Sequence, residues 1–290
     1  MTLQEVLVNS HAALASRTPT PWHEAERLVG LSLGLSREVL IRVPLQKFIP
    51  VRARARLQGF LAQRSQGIPL AYLTGESYFY GRSFAVTPHV LIPRPETEVL
   101  VDCALECMGT LPYKGHGPIT VVDIGTGSGC VAISFFKELA RFTPAPKVKL
   151  YATDISKQAL AIAMRNAKAH RLVRAITFLH GDLVKPLTHK PHLIMANLPY
   201  LTQQQMSENP CLRYEPQGAL VAGSDGFEVY RNLLQSLYTL GWQQGIHLLL
   251  EIDPAQRQLC QQEVQYVFPH AHVDFVPDLH GLTRVARIAL

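Results

Sequence analysis

The chain has 290 residues, of which 47% are apolar and 17% charged, and its net charge is +6. That length suits one large domain, or a domain of about 200 residues with a smaller companion, and the composition excludes long disordered regions. No apolar run approaches the roughly 20 residues that span a bilayer, and residues 1–10 lack the basic and leucine-rich stretches of a secretory signal, so the expected location is the cytoplasm. Cys103, Cys107, Cys130, Cys211 and Cys260 show no zinc-site spacing and fit a reducing compartment. Cys103 and Cys107 share a helix face without the further ligands a metal needs.

The first 67 residues read as helices. Thr2 and Glu5 form a capping box ahead of Val6, Leu7 and Leu14. Thr20-Pro21 is a second helix start, with Trp22, Ala25, Leu28 and Val29 on one face. Ser36 caps a short third helix. Pro50 precedes a fourth, with Leu57, Phe60 and Leu61 apolar, which Gly67 and Pro69 end. This makes a four-helix bundle. Residues 1–70 hold nine Lys/Arg against four acids, so most of the excess charge lies here. Such a face is drawn to acidic partners.

Tyr78, Phe79, Tyr80, Gly81-Arg82, Phe84 and Val86 read as a hairpin, with Gly81 opening a type II′ turn. Pro88, Pro93 and Pro95 make a stiff connector, and Pro95-Glu96-Thr97-Glu98 opens a helix. From residue 118 strands alternate with helices. Strands are expected at 119–124, 148–153, 176–179, 193–196 and 247–252, and helices after the first glycine loop and at 157–169, 226–240 and 254–267. An antiparallel pair, 273–276 with 284–289, ends the chain. The expected fold class is α/β, a doubly wound, Rossmann-like sheet. The expected division is a helical domain at 1–70, a hairpin and proline-rich linker at 71–95, and the sheet domain at 96–290.

Four motifs carry chemistry. Val121-Val122-Asp123-Ile124 runs into Gly125-Thr126-Gly127-Ser128-Gly129, a strand entering a glycine turn that opens a helix. Glycine admits a ligand close to the backbone, and the helix start offers free N–H groups. A dinucleotide site prefers G-x-G-x-x-G; the tighter G-x-G-x-G after an acid resembles motif I of class I methyltransferases, whose donor is S-adenosyl-L-methionine. Asp154 ends the next strand, where a carboxylate can accept both ribose hydroxyls. Gly181-Asp182 follows the third strand; the resemblance implies that Asp182 faces the adenine amino group and Leu183 packs on the ring. Asn197-Leu198-Pro199-Tyr200 ends the fourth strand and resembles the [N/D/S]-P-P-[Y/F/W] motif of enzymes that methylate planar nitrogens. An amide nitrogen is a poor nucleophile because its lone pair is delocalised. Two acceptors, the Asn197 side-chain oxygen and the Leu198 carbonyl, can hold its N–H bonds and favour the charge that grows on it. Tyr200 can stack on the planar group.

Further stretches complete a resemblance that spans nearly the whole chain. They are Arg64-x-x-Gly67-x-Pro69-x-x-Tyr72-x-Thr74-Gly75, Phe84-x-Val86, and Leu91-Ile92-Pro93-Arg94-Pro95-Glu96-Thr97-Glu98. After the tetrapeptide come Arg213-Tyr214-Glu215-Pro216 with Ala219-Leu220, Asp225-Gly226, and Asp278-Leu279-x-Gly281-x-x-Arg284. Together they resemble the HemK/PrmC family, which methylates the glutamine of the Gly-Gly-Gln motif in bacterial peptide chain release factors. The resemblance implies a class I S-adenosyl-L-methionine methyltransferase domain behind a small helical bundle that helps dock the release factor. It implies a donor site of Gly125, Thr126, Gly127, Ser128, Gly129, Asp154, Asp182, Leu183 and Asn197, releasing S-adenosyl-L-homocysteine. It also implies a catalytic and substrate-binding set of Asn197, Leu198, Pro199 and Tyr200. A monomer is expected, with no metal, no membrane and no stable nucleic-acid partner.

Leu198 departs from the family's usual proline. Leucine keeps the carbonyl but adds an N–H and frees φ, so a less rigid loop is expected. Asn-Leu-Pro-Tyr also resembles the motif of ribosomal RNA adenine-N6 dimethyltransferases, but those put the helical domain last. A DNA adenine methyltransferase would need an inserted recognition domain. A silent binding module would have lost donor or acceptor residues, and Gly125, Gly127, Gly129, Asp154 and Asn197 are all present.

Overall fold

The computed structural model describes residues 1–111, 117–143 and 146–290, and the chain divides into two compact units, Met1–Glu76 and Ser77–Leu290. The first holds α1 (Leu3–Leu14), α2 (Pro21–Leu33), α3 (Arg37–Leu40), α4 (Val51–Ser65) and α5 (Leu70–Thr74). The Thr2/Glu5 capping box forms, and Pro21 opens α2. Leu3, Val6, Leu14, Ala25, Leu28, Val29, Leu40 and Leu57 make its core. Beside them Arg64 grips buried Glu24 through two nitrogens, at 2.6 and 3.1 Å.

Two expectations fail in this unit. Trp22 is half exposed and stacks on His11, with ring centroids 4.2 Å apart, instead of joining Ala25 and Leu28. Helical side chains lean toward the N-terminus, so a residue in the first turn reaches past the end of its own helix. The bundle also has a fifth helix, α5, between Pro69 and Gly75. Gly75 ends it in the left-handed region, at φ 74°. Five residues are too few to show a helical period.

The hairpin pairs β1 (Glu76–Phe79) with β2 (Arg82–Ala85). Its two-residue turn is Tyr80-Gly81, both left-handed at φ 51° and 69°, which is a type I′ turn and not the expected type II′. Tyr80 is held there by α6 (Glu98–Thr110). Its N–H donates to the Glu98 carboxylate at 2.6 Å and its hydroxyl to Asp102 at 2.5 Å.

The remaining elements are β3 (Ile119–Ile124), α7 (Cys130–Leu139), β4 (Val148–Asp154), α8 (Lys157–Ala169), β5 (Ile176–His180), β6 (Leu193–Ala196), α9 (Gln203–Glu208), α10 (Glu228–Thr239), β7 (His247–Glu251), α11 (Arg257–Val267), β8 (His272–Pro277) and β9 (Thr283–Ala289). They build a seven-stranded sheet in the order β5-β4-β3-β6-β7-β9-β8, parallel from β5 to β7, with β9 antiparallel to both its neighbours. Alternate strand residues face opposite layers. Val121, Leu193, Met195 and Leu249 pack with Leu100, Val101, Ile133 and Phe135. Val122, Ile194, Leu248 and Leu250 pack with Phe227, Tyr230, Leu233 and Val264. A sheet covered on both faces explains the unbroken apolar runs. Each fully buried Leu or Phe contributes about 1.5–3 kcal/mol. Strand order reverses between β3 and β6, which opens a crevice beyond their carboxyl ends.

Candidate active site

The glycine loop leaves β3 into that crevice. Gly125, Gly127 and Gly129 take φ of 70°, 55° and 80°, a run that only glycine adopts without strain. The Gly125 and Thr126 amides donate to the Thr153 carbonyl, both at 2.9 Å. Gly127 N–H donates to Asp154 Oδ2 at 2.9 Å. Asp123, behind the loop, accepts from Thr126 Oγ1 at 2.6 Å and Ala132 N–H at 3.3 Å. Burial outweighs these bonds and pushes its carboxyl up to about 7. The amides of Ser128 and Cys130 donate to nothing among the described residues. They give this end of α7 the free N–H groups that a carboxylate seeks.

Asp154 stands at the end of β4. Its Oδ1 also accepts Ser156 N–H at 2.8 Å, and burial raises its pKa above the ordinary carboxylate range. Each oxygen accepts one bond and has room for a second. Asp182 is half exposed and paired with Lys185 at 2.6 Å. Leu183 is buried with φ 50°, and its carbonyl accepts the Thr153 hydroxyl at 3.1 Å.

The tetrapeptide follows β6. Asn197 Nδ2 donates to Thr97 Oγ1 at 2.9 Å, while Asn197 Oδ1 accepts nothing among the described residues. Leu198 is buried; its N–H donates to the Tyr230 hydroxyl at 3.2 Å, and its carbonyl likewise accepts nothing. Tyr230, wholly buried, donates in turn to the Glu251 carbonyl. The added N–H of leucine, expected to loosen the loop, therefore has a fixed partner. Tyr200 turns toward β7, and its hydroxyl donates to Glu251 Oε1 at 3.3 Å. Burial pushes the Glu251 carboxyl up to about 7, against Thr97, Arg284 and Tyr200, which favour its charge. The Gln256 amide donates to the Tyr200 and Gly226 carbonyls, both at 3.0 Å.

One cavity of about 490 Å³ joins these pieces. It is lined by Asp123 through Ser128, Asp154, Asp182, Leu183, Asn197, Leu198 and Pro199, with Leu91 and Arg94 from the linker and Thr97 from the start of α6. Gly129 and Tyr200 do not line it. Gly129 instead lies against Ala163, 3.2 Å from where a Cβ would stand. Arg94 pairs with buried Glu215, which also accepts Ile92 N–H at 3.0 Å, so the linker is bound to the wall that carries Pro216 and Ala219. No group of three or more His, Cys, Asp or Glu among the described residues could hold a metal, and no described helix is long and apolar enough to cross a membrane.

Sequence reasoning missed Thr97, Tyr230 and Glu251 as supports of the tetrapeptide. Glu251 carried a signal, a carboxylate closing the apolar run of β7 at the sheet edge where ligands bind. Tyr230 carried none, since it reads as one more apolar position of a helix.

The chain matches two family models, the PrmC N-terminal domain over residues 5–75 and the Methyltransferase small domain over residues 107–213. It is 36% identical to the release factor glutamine methyltransferase of Moorella thermoacetica, over 98% of this chain and 97% of that one. To the Bacillus subtilis protein of the same name it is 32% identical, over 90% and 88%. Its fold is similar to that of the hMettl16 catalytic domain in complex with MAT2A 3'UTR hairpin 6, with a TM-score of 0.54 and 16% identity over 72% of this chain and 76% of that one. A class I methyltransferase sheet and relatives matched over most of both chains make this chain a member of the release factor glutamine methyltransferase family.

Proposed function

We propose that the chain transfers a methyl group from S-adenosyl-L-methionine to the side-chain amide nitrogen of the glutamine in the Gly-Gly-Gln motif of peptide chain release factors. The observation that carries this reading is the pair of unengaged acceptors, Asn197 Oδ1 and the Leu198 carbonyl, on the same cavity as the glycine loop. The donor supplies an electrophilic methyl on a positively charged sulfur. The free amides of Ser128 and Cys130 suit its carboxylate, Asp154 its ribose, and Asp182 and Leu183 its adenine. Asn197 and Leu198 would accept the two N–H bonds of the glutamine amide and aim its nitrogen along the line of displacement. Both acceptors favour the positive charge that develops as the lone pair is drawn out of the amide. No strong base is required, because a methylated amide cation sheds its proton readily. Pro199 closes the turn, and Tyr200, which turns toward Glu251, would support the loop from behind.

The helical residues 1–70 would serve as the docking domain, residues 71–95 as the connecting hairpin and linker, and residues 96–290 as the methyltransferase domain. The enzyme would act as a cytoplasmic monomer on a protein and not on nucleic acid. The test offers purified protein a radiolabelled-methyl donor with a bacterial release factor, the same factor with its Gly-Gly-Gln glutamine changed, and unmodified small-subunit ribosomal RNA. Label in the intact factor alone is expected. Label in the RNA would replace this reading.

A further inference from the structure

We infer that Tyr230 is a positioning residue for the reaction, and that its hydroxyl fixes the direction of the Leu198 carbonyl. The inference rests on the proposed function for the identity of the group that this carbonyl holds.

The geometry is closed on every side. Tyr230 is wholly buried in α10, and its hydroxyl meets Leu198 N–H at 3.2 Å, the Glu251 carbonyl, and the Ala196 carbonyl at 3.5 Å. A phenol has one proton. It goes to the Glu251 carbonyl, the nearer of the two, which leaves the oxygen to accept from Leu198. The last strand residue before the tetrapeptide, its second residue and the end of β7 thus converge on one atom. The Leu198 N–H belongs to the peptide plane before the one that carries its carbonyl, so the bond to Tyr230 fixes the first plane and leaves rotation about the Leu198 backbone bonds as what would swing the carbonyl. Pro199 narrows those bonds from the other side by disfavouring the α region for the residue before it. The side chain is held as well, because it is buried among the apolar residues that pack on this face of the sheet. Leu198 is therefore immobilised at its N–H and at its side chain, and only its carbonyl is left open to the cavity.

Tyr230→Phe keeps the ring in the core and removes only the hydroxyl. The buried Leu198 N–H is then unpaired, and the loop relieves it by turning, which misdirects the carbonyl. Turnover should fall by about tenfold or more, with donor affinity little changed. The Leu198→Pro background removes the N–H itself, so there the cost of Tyr230→Phe should shrink to about threefold or less. A general packing defect would cost the same in both backgrounds. An equal loss in the two overturns the inference, as does full turnover in Tyr230→Phe. A second measurement needs no substrate, so it fails separately from the proposed function. Hydrogen exchange of the Leu198 amide in the wild-type protein should be slow, and Tyr230→Phe should speed it by about tenfold or more. An amide that already exchanges at the rate of an open loop in the wild type would overturn the inference whatever the variants do.

Discussion

The side chain of Leu198 occupies the space that a methyl group on Gly125 would need. A Cβ there would stand 2.7 Å from Leu198 Cδ2. The donor loop and the acceptor loop are thus in direct contact, and a change in one is felt in the other. Gly125→Ala should lower affinity for S-adenosyl-L-homocysteine by about tenfold or more, since the position also holds φ 70°. Adding Leu198→Ala removes the clash but not the backbone strain, so calorimetry should show partial recovery. No recovery at all would mean that the contact is not what limits binding.

Asn197→Ala removes one of the two acceptors and leaves the glycine loop whole. Turnover should drop by about a hundredfold, while donor affinity stays within about threefold of the wild type. Single-turnover methylation with saturating donor separates the two effects. Near-normal turnover would remove the acceptor role of Asn197.

Asp154→Ala strikes the donor side. The amides of Gly127 and Ser156 lose their common partner, and the ribose hydroxyls would lose their acceptor. Donor affinity should fall by about tenfold or more, and much of the activity should return at high donor concentration. An unchanged affinity would take the ribose assignment away.

Burial pushes the carboxyls of Asp123 and Glu251 up to about 7. An acid whose pKa is higher folded than unfolded stabilises the fold fully below its unfolded value, near pH ~4, and loses that contribution as pH rises through the folded value. The melting temperature should therefore fall between pH ~4 and pH ~7, and Glu251→Gln should flatten the decline. The same slope in the wild type and in Glu251→Gln would show that Glu251 is charged throughout.

Arg94→Ala leaves the Glu215 carboxylate, whose side chain is 3% exposed, without its cation. An unpaired buried charge costs about 3 kcal/mol, so the urea midpoint should move down, and Glu215→Gln added to Arg94→Ala should restore part of it. Equal midpoints for wild type and Arg94→Ala would show that water already screens the pair.

The sheet was legible because both its faces are covered. Runs such as Leu193–Ala196 stay apolar residue after residue, and α8 begins and ends at the two residues expected. The loops at the strand ends stood out for a related reason, since Gly125–Gly129 and Asn197–Tyr200 combine residue types that core packing does not require, although Gly129 and Tyr200 do not line the cavity. What stayed hidden was set by tertiary partners. Tyr80 accepts φ 51° because Glu98 and Asp102 hold it, and nothing local in the hairpin announces α6. The short helix α9 has a capping box of Thr202 and Gln205 but no apolar stripe, so its period was invisible. Tyr230 and Glu251 act on the tetrapeptide across gaps of 32 and 51 residues, and no spacing rule reaches that far.

One side chain of α8 has a bearing on how the molecule comes into being. Asn166 donates to the carbonyls of Ser128 and Ala85, at 2.8 and 3.0 Å, and accepts Ala85 N–H at 2.8 Å. The glycine loop is thereby stapled to the second strand of the hairpin by a residue made 38 positions later. During synthesis the loop leaves the ribosome with its sequence complete but its shape unsecured, and it stays so until α8 has emerged and found the hairpin. A fragment cut before residue 166, or one that omits the hairpin, would carry the full glycine signature and lack the fixed cradle that it encodes.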